Sequence, residues 1–307
     1  MSANSISSTE ASGNTQEEQH VVSKSLWVHA WETLAKDKVA VFSLTIVCLY
    51  FLVAILSATG LIAADWAKEI GEGYQAPSFE SVKHWFGTDI FGRSVLLKTI
   101  KGTEIAMSVG LAAGLISISI GVFLGAVAGY FGGKVDEVIV WFYTTFSSIP
   151  GIMLLMAFAF AFGKGIHSVI LSLGLTTWVT LCRLIRAEVI RHKDREYVQA
   201  AAAIGAGNYR RLFKHILPNV LHIVIINFSL QFQIAIKSEV ILSYLGLGVQ
   251  GQPSWGRMID DAKLELARDV WWQLAAATFA MFLVVLAFNL LSDALRDALD
   301  PKLKGKK

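Results

Sequence analysis

Six long stretches of this chain carry no charged side chain, and they limit what it can fold into more than any other feature. They cover residues 39–62, 105–131, 138–162, 166–182, 220–236 and 274–291. Each is at or near the roughly 20 residues that a helix needs to cross about 30 Å of hydrocarbon. A bilayer offers backbone N–H and C=O groups no water, so a spanning segment must satisfy them internally. Helices do this segment by segment, which predicts an all-α integral membrane protein with six transmembrane helices. Composition agrees, because 54% of residues are hydrophobic, only 17% are charged, and the apolar ones are clustered.

Basic residues set the orientation. Of 27 Lys and Arg, eight fall in residues 183–214, between the fourth and fifth stretches. Placing that loop in the cytoplasm puts 17 of them inside and 10 outside, as the positive-inside rule expects. Both termini are then inside, and the long connections 63–104 and 237–273 are outside. Residues 1–25, rich in Ser, Asn, Glu and Gln, read as a disordered cytoplasmic tail without the apolar core and cleavage site of a secretory signal. Residues 26–104 hold a short elbow helix, the first span and an outer loop. Residues 105–303 form a core of five spans with a polar loop at 186–218, and 304–307 are a basic tail. Trp27, Trp31 and Leu34 share one face of the elbow, which suits a helix lying on the inner membrane surface. Trp271 and Trp272 fall where the outer aromatic belt is expected.

Several features inside the spans carry more than one reading. Gly110, Gly114, Gly121, Gly125 and Gly129 make two small-xxx-small series in the second span, which suit either a helix at the centre of a moving bundle or plain tight packing. His222, Asn227, Gln231 and Gln233 place polar groups in the fifth span, which ends at Lys237 and Glu239. Asn227, Gln231 and Gln233 are candidates to line a solute path, and interhelical hydrogen bonding is the plainer alternative. Pro150 removes a backbone donor from the third span and predicts a kink satisfied by Ser147 or Ser148, with a hinge as the alternative.

Other chemistry is excluded. Residues 246–251 fit G-x-G-x-x-G, yet a span precedes them and Gln252-Pro253 follows, so the strand–turn–helix context of a dinucleotide site is missing. No phosphate-binding G-x-x-x-x-G-K-[ST] loop occurs, nor H-E-x-x-H, nor a Cys/His cluster at metal spacing. Cys48 and Cys182 both lie within spans and imply no disulfide framework. A net charge of +3 with no basic cluster among aromatics gives no case for nucleic acid. No catalytic group, metal or cofactor is expected.

The polar loop is the most specific segment. Residues 188–204 read as helix, with the alanine run a strong helix former. Gly205-Ala206-Gly207 breaks it, Asn208 is placed to cap a second helix, and Pro218 closes that helix. Leu212, Phe213 and Ile216 give the second helix an apolar face, with Arg210, Arg211 and Lys214 around it. The order Gln199-Ala200-Ala201, Gly205, then His215-Ile216-Leu217-Pro218 resembles the EAA loop of membrane subunits of binding-protein-dependent ABC importers. Gln199 stands where that motif has its leading Glu. Three more segments are similar to the dipeptide/oligopeptide/nickel branch of that family. They are His84 to Ser94 (HWFGTDIFGRS), Ser243 to Gly248 with Pro253 to Gly256, and Leu295 to Pro301 (LRDALDP).

The resemblance implies a subunit of the cell inner membrane that forms half of a path for peptides or a related small solute. It implies a second homologous permease, two cytoplasmic ATP-binding subunits and an external substrate-binding protein as partners. The loop residues Gln199, Ala200, Ala201, Gly205, Arg210, Arg211, Leu212, Phe213, Lys214, Ile216 and Pro218 would couple to the ATPase. Apolar contacts of Leu212, Phe213 and Ile216 would supply most of the docking energy. An ion-coupled carrier or channel is the alternative, and it would call for charges within the spans that the six stretches lack.

Overall fold

The computed structural model describes residues 26–299, with side chains from residue 31 onward. The expectations for the tails at 1–25 and 304–307, for Asp300-Pro301 and for the Trp27 ring lie outside the described residues. The described chain is helical: α1 (Leu26–Lys36), α2 (Lys38–Ala58), α3 (Val95–Phe131), α4 (Gly133–Ser147), α5 (Gly151–Phe162), α6 (Ile166–Thr176), α7 (Val179–Lys193), α8 (Glu196–Ala203), α9 (Asn208–Arg210), a π-helical turn (Arg211–Ile216), α10 (Leu217–Tyr244), α11 (Trp255–Leu266) and α12 (Trp272–Leu299). Five helical units are long and apolar enough to cross a membrane: 38–58, 95–131, 166–193, 208–244 and 272–299. The pair α4 and α5 makes a sixth if counted as one span.

That pair corrects one expectation. α4 and α5 meet at 91°, so Pro150 ends one helix and starts another instead of kinking a single span. The reason is local. Proline has no N–H to offer and pushes the preceding residue out of helical geometry. Neither serine repairs the gap: Ser148 Oγ donates to Thr145 O at 2.7 Å, and Ser147 Oγ accepts from Arg183 at 3.1 Å.

α3 is the central post. Ser94 caps it, its Oγ accepting from Leu97 N at 3.3 Å while donating to Lys83 O at 2.6 Å. α2, α4, α6, α7, α10 and α12 all pack on α3. Its glycines explain how they come so close. A methyl group on Gly110 would sit 2.8 Å from the Phe232 ring of α10. Lower on the same helix, methyls on Gly121, Gly125 and Gly129 would meet the carbonyl oxygens of Trp178, which caps α7, and of Cys182 and Arg186 within α7, at 2.9, 2.5 and 2.6 Å. The small-residue series is therefore a seam on which two helix backbones touch. Leu34 of α1 packs with Leu295, Ala298 and Leu299 of α12 and Ile226 of α10, so the elbow and the last span end on the same side. Trp31 is exposed on α1.

On the opposite side the outer loop is pinned by a buried polar chain. Asp89 accepts from Arg93 Nε at 2.8 Å and from Lys98 Nζ at 2.9 Å. Lys98 also donates to Gln273 Oε1 at 2.6 Å, and Gln273 Nε2 donates to Glu265 Oε2 at 3.0 Å. Burial opposes the charge on Asp89, but Lys98 and Arg93 outweigh it and hold that carboxyl below its usual range. Glu265 goes the other way: burial, with Asp261 and Asp89 nearby, pushes it to about 7 despite Lys98. Of the two belt tryptophans, Trp271 is exposed, whereas Trp272 is buried and donates to Thr88 O at 2.9 Å.

Candidate functional site

The polar loop folds as a compact bracket against the cytoplasmic ends of α3 and α7. The expected helix 188–204 is two: α7 stops at Lys193, and α8 restarts at Glu196. Gln199 spans the break, its Nε2 donating to Asp194 O at 3.1 Å. An acidic side chain at this position would have no such proton to give.

After α8 the chain closes a Schellman turn. Ala206 N bonds to Ala201 O and Gly205 N to Ala202 O, both at 2.9 Å, with Gly205 at φ +83°. Nothing lies within 4 Å of where a Gly205 Cβ would be, so the requirement there is backbone conformation and not space. Val198 and Ala201 are buried, while Ala200 and Gln199 are exposed.

The second helix departs from expectation in three ways. Asn208 is its first residue and not its cap; its Oδ1 accepts from Tyr130 Oη at 3.2 Å and from Arg211. Pro218 does not close it, because the helix runs on from Asn208 to Tyr244 as one unit. The π-helical turn makes this possible: Leu217 N reaches Leu212 O, so the ladder is already shifted when the proline arrives. Asn219 Nδ2 then donates to His215 O at 2.6 Å, taking up an acceptor near the irregular turn.

The third departure concerns the apolar face. Leu212 and Ile216 are buried in this chain's own cluster with Ala126, Tyr130, Leu181, Ile185, Val189, Val198 and Val220. They hold the bracket down and are not open to a partner. The most open large apolar side chains of the loop are Ile204, 86% exposed, and Tyr209, 74% exposed. Phe213 is partly buried and packs on Tyr209, the rings tilted by 34° with centroids 4.4 Å apart. Arg210, Lys214 and Pro218 are exposed around them, and Arg211 is half-buried beside Tyr130.

Where α4 breaks from α5, a cleft of about 380 Å³ opens against α6, α7 and α10. Asn227 and Gln231 line it. Gln233 does not. Two residues on, it points about 200° away around the helix and packs toward α12, its Nε2 3.5 Å from Ser292 Oγ. Asn227 Nδ2 donates to its own helix at Ile223 O, 2.9 Å away. Arg183 lines the same cleft and was not among the residues expected there. It falls just past the end of the fourth uncharged stretch, where a sequence reading assigns it to the loop.

A bundle of membrane-crossing helices, a basic bracket at one end continuous with a span, and a cleft beside that span with Asn227, Gln231 and Arg183 in its wall suit the membrane subunit of a transport system. The chain belongs to the family described as the binding-protein-dependent transport system inner membrane component, which matches residues 121–305. The N-terminal membrane domain of oligopeptide transport permease C matches residues 25–77. The chain is 36% identical over 276 residues to the dipeptide transport system permease protein DppC of Bacillus subtilis, covering 90% of this chain and 85% of that one. It is 34% identical to the oligopeptide transport system permease protein OppC of the same organism, covering 92% of each. It is also 33% identical to the glutathione transport system permease protein GsiD of Pectobacterium atrosepticum, covering 91% and 92%. The protein is thus a multi-pass inner-membrane permease subunit and not an ATPase.

Proposed function

We propose that this chain is one of two homologous permease subunits of an ATP-driven importer for short peptides or a peptide-like solute such as glutathione. A second permease completes the path, two cytoplasmic ATP-binding subunits drive it, and an external binding protein delivers the solute. The bracket 196–218 is the seat for one ATPase. Exposed Ile204 and Tyr209, with Phe213 behind them, supply the apolar contact, and Arg210 and Lys214 steer an acidic rim toward it.

The observation that carries this reading is the continuity of residues 208–244. A displacement of the docking end moves a single helix that also forms one wall of the cleft, so ATPase closure and path opening share one rigid element. The names of the relatives supply the solute class, since they are dipeptide, oligopeptide and glutathione permeases. The test is the energy source. The complex, purified with its partners and sealed in proteoliposomes with its binding protein outside, should import a short peptide only when ATP is inside. Import that follows an ion gradient without ATP would refute the reading.

A further inference from the structure

Arg183 and Arg186 are three residues apart on α7, and the structure treats them oppositely. Arg186 is forked onto Asp136, with Nε and Nη2 at 2.5 and 2.6 Å from its two carboxylate oxygens. Arg183 has no carboxylate within ion-pair distance among the described residues. Its guanidinium lies 4.9 Å from the Tyr143 ring centre, and Ser147 Oγ accepts one hydrogen bond from it. A guanidinium carries five N–H donors, and a cation in a membrane segment is costly unless it meets a counter-charge or water. Arg183 is exposed near the loop end of its span and lines the cleft, so its open donors face that space.

A second group in the same cleft is unfinished in the complementary sense. Gln231 Nε2 donates to Thr177 O at 2.8 Å, which fixes the amide, but its Oε1 is buried without a hydrogen-bond partner among the described residues. An orphaned buried acceptor carries a penalty comparable to a lost hydrogen bond. The cleft therefore presents a cation lacking an anion, and its wall buries an acceptor lacking a donor. A solute end that carries an N–H next to a free carboxylate satisfies both.

We propose that Arg183 and Gln231 form a station on the solute path, with Arg183 binding the free carboxylate and Gln231 Oε1 accepting an N–H. The station rests on the peptide-importer reading above and adds to it a named chemical group. Thr177 orients Gln231, and the Pro150 break opens the space. Arg186 stays committed to α4 as a structural pair.

The test compares trialanine with its C-terminal amide in the complete reconstituted complex, with import rates referred to binding-protein occupancy so that capture outside does not enter. The unsubstituted complex should favour the acid by about tenfold, the effect of one charge-assisted hydrogen-bonded pair. Arg183→Gln should bring the ratio to about one while the liganded binding protein still stimulates ATP hydrolysis. Arg183→Lys, which keeps the charge, should retain a preference for the acid. Equal losses for acid and amide in Arg183→Gln would mark a structural arginine and overturn the station, as would an unchanged ratio. ATP-independent uptake by the unsubstituted complex would instead overturn the importer reading beneath it.

Discussion

Gly125 offers the sharpest test of how this bundle is held together. A methyl group there would sit 2.5 Å from Cys182 O, 3.1 Å from Arg186 N and 3.1 Å from Ile185 Cβ, all on α7. An ordinary carbon–oxygen contact is about 3.4 Å, so α7 would have to retreat by about 0.9 Å. Tilting cannot relieve this, because Gly121 and Gly129 hold the same seam one turn away on either side. Overpacking of this kind costs about 1–3 kcal/mol, partly offset in Gly125→Ala by about 1 kcal/mol of helix propensity. Gly125→Val adds bulk without that offset and should lose about 2–3 kcal/mol. Gly151 is the matched control, with nothing within 4 Å of its missing Cβ, so Gly151→Ala should be neutral or gain about 0.5 kcal/mol. Heating detergent-solubilised protein and following the surviving monodisperse peak by fluorescence size-exclusion gives the ranking. Gly125→Val should melt about 4–8 °C below wild type. A Val variant that melts with wild type, or a Gly151→Ala variant that falls equally, would refute the close-contact argument.

Three further outcomes follow from the same geometry. Gly205→Val should abolish transport while leaving membrane insertion intact, and Gly205→Asn should retain much of it, since only the positive φ is at stake and a non-glycine residue there costs about 1–2 kcal/mol; normal import by the Val variant would contradict this. Leu212→Asp should reduce the yield of folded protein, because that side chain is 1% exposed, whereas Tyr209→Glu should fold normally and fail to hold the ATPase, a contrast read from purification yield and co-elution. Glu265 titrates near 7 in the fold against an ordinary 4.5, so its neutral form is the stable one. Its contribution is full below about pH 4.5 and is lost as pH rises through 7. Glu265→Gln should therefore gain in melting temperature on wild type between pH 5 and pH 8, and a constant difference across that range would count against the buried carboxyl.

The uncharged stretches were sufficient to place five membrane-crossing units but not to show that the stretch 138–162 is a bent pair. Burial in lipid imposes a length and a charge ban that sequence displays directly, while the bend is a local matter of Pro150. The glycine turn at Gly205 was equally legible, since an alanine-rich helix that stops at a glycine has few other ways to close. What could not be read was who covers an apolar face. Leu212, Phe213 and Ile216 announce a stripe, but only packing shows that Leu212 and Ile216 face α3 and α7 while Tyr209 and Ile204 face outward. Pro150 and Pro218 make the same point: one breaks a span by 91°, the other sits in an unbroken helix because a π-turn precedes it. The buried chain Asp89–Lys98–Gln273–Glu265 joins residues far apart in sequence, and nothing local to Lys98 signals it.

The most direct test of the central claim is a pull-down of the tagged chain from its native cell under several mild detergents, with partners identified by mass spectrometry. It is run beside an Ile204→Glu, Tyr209→Glu double variant. The account predicts a P-loop ATPase and a second polytopic permease with the wild-type chain, and retention of the permease but loss of the ATPase with the variant. Equal recovery of the ATPase by both chains, or a wild-type chain that comes out alone, would contradict it.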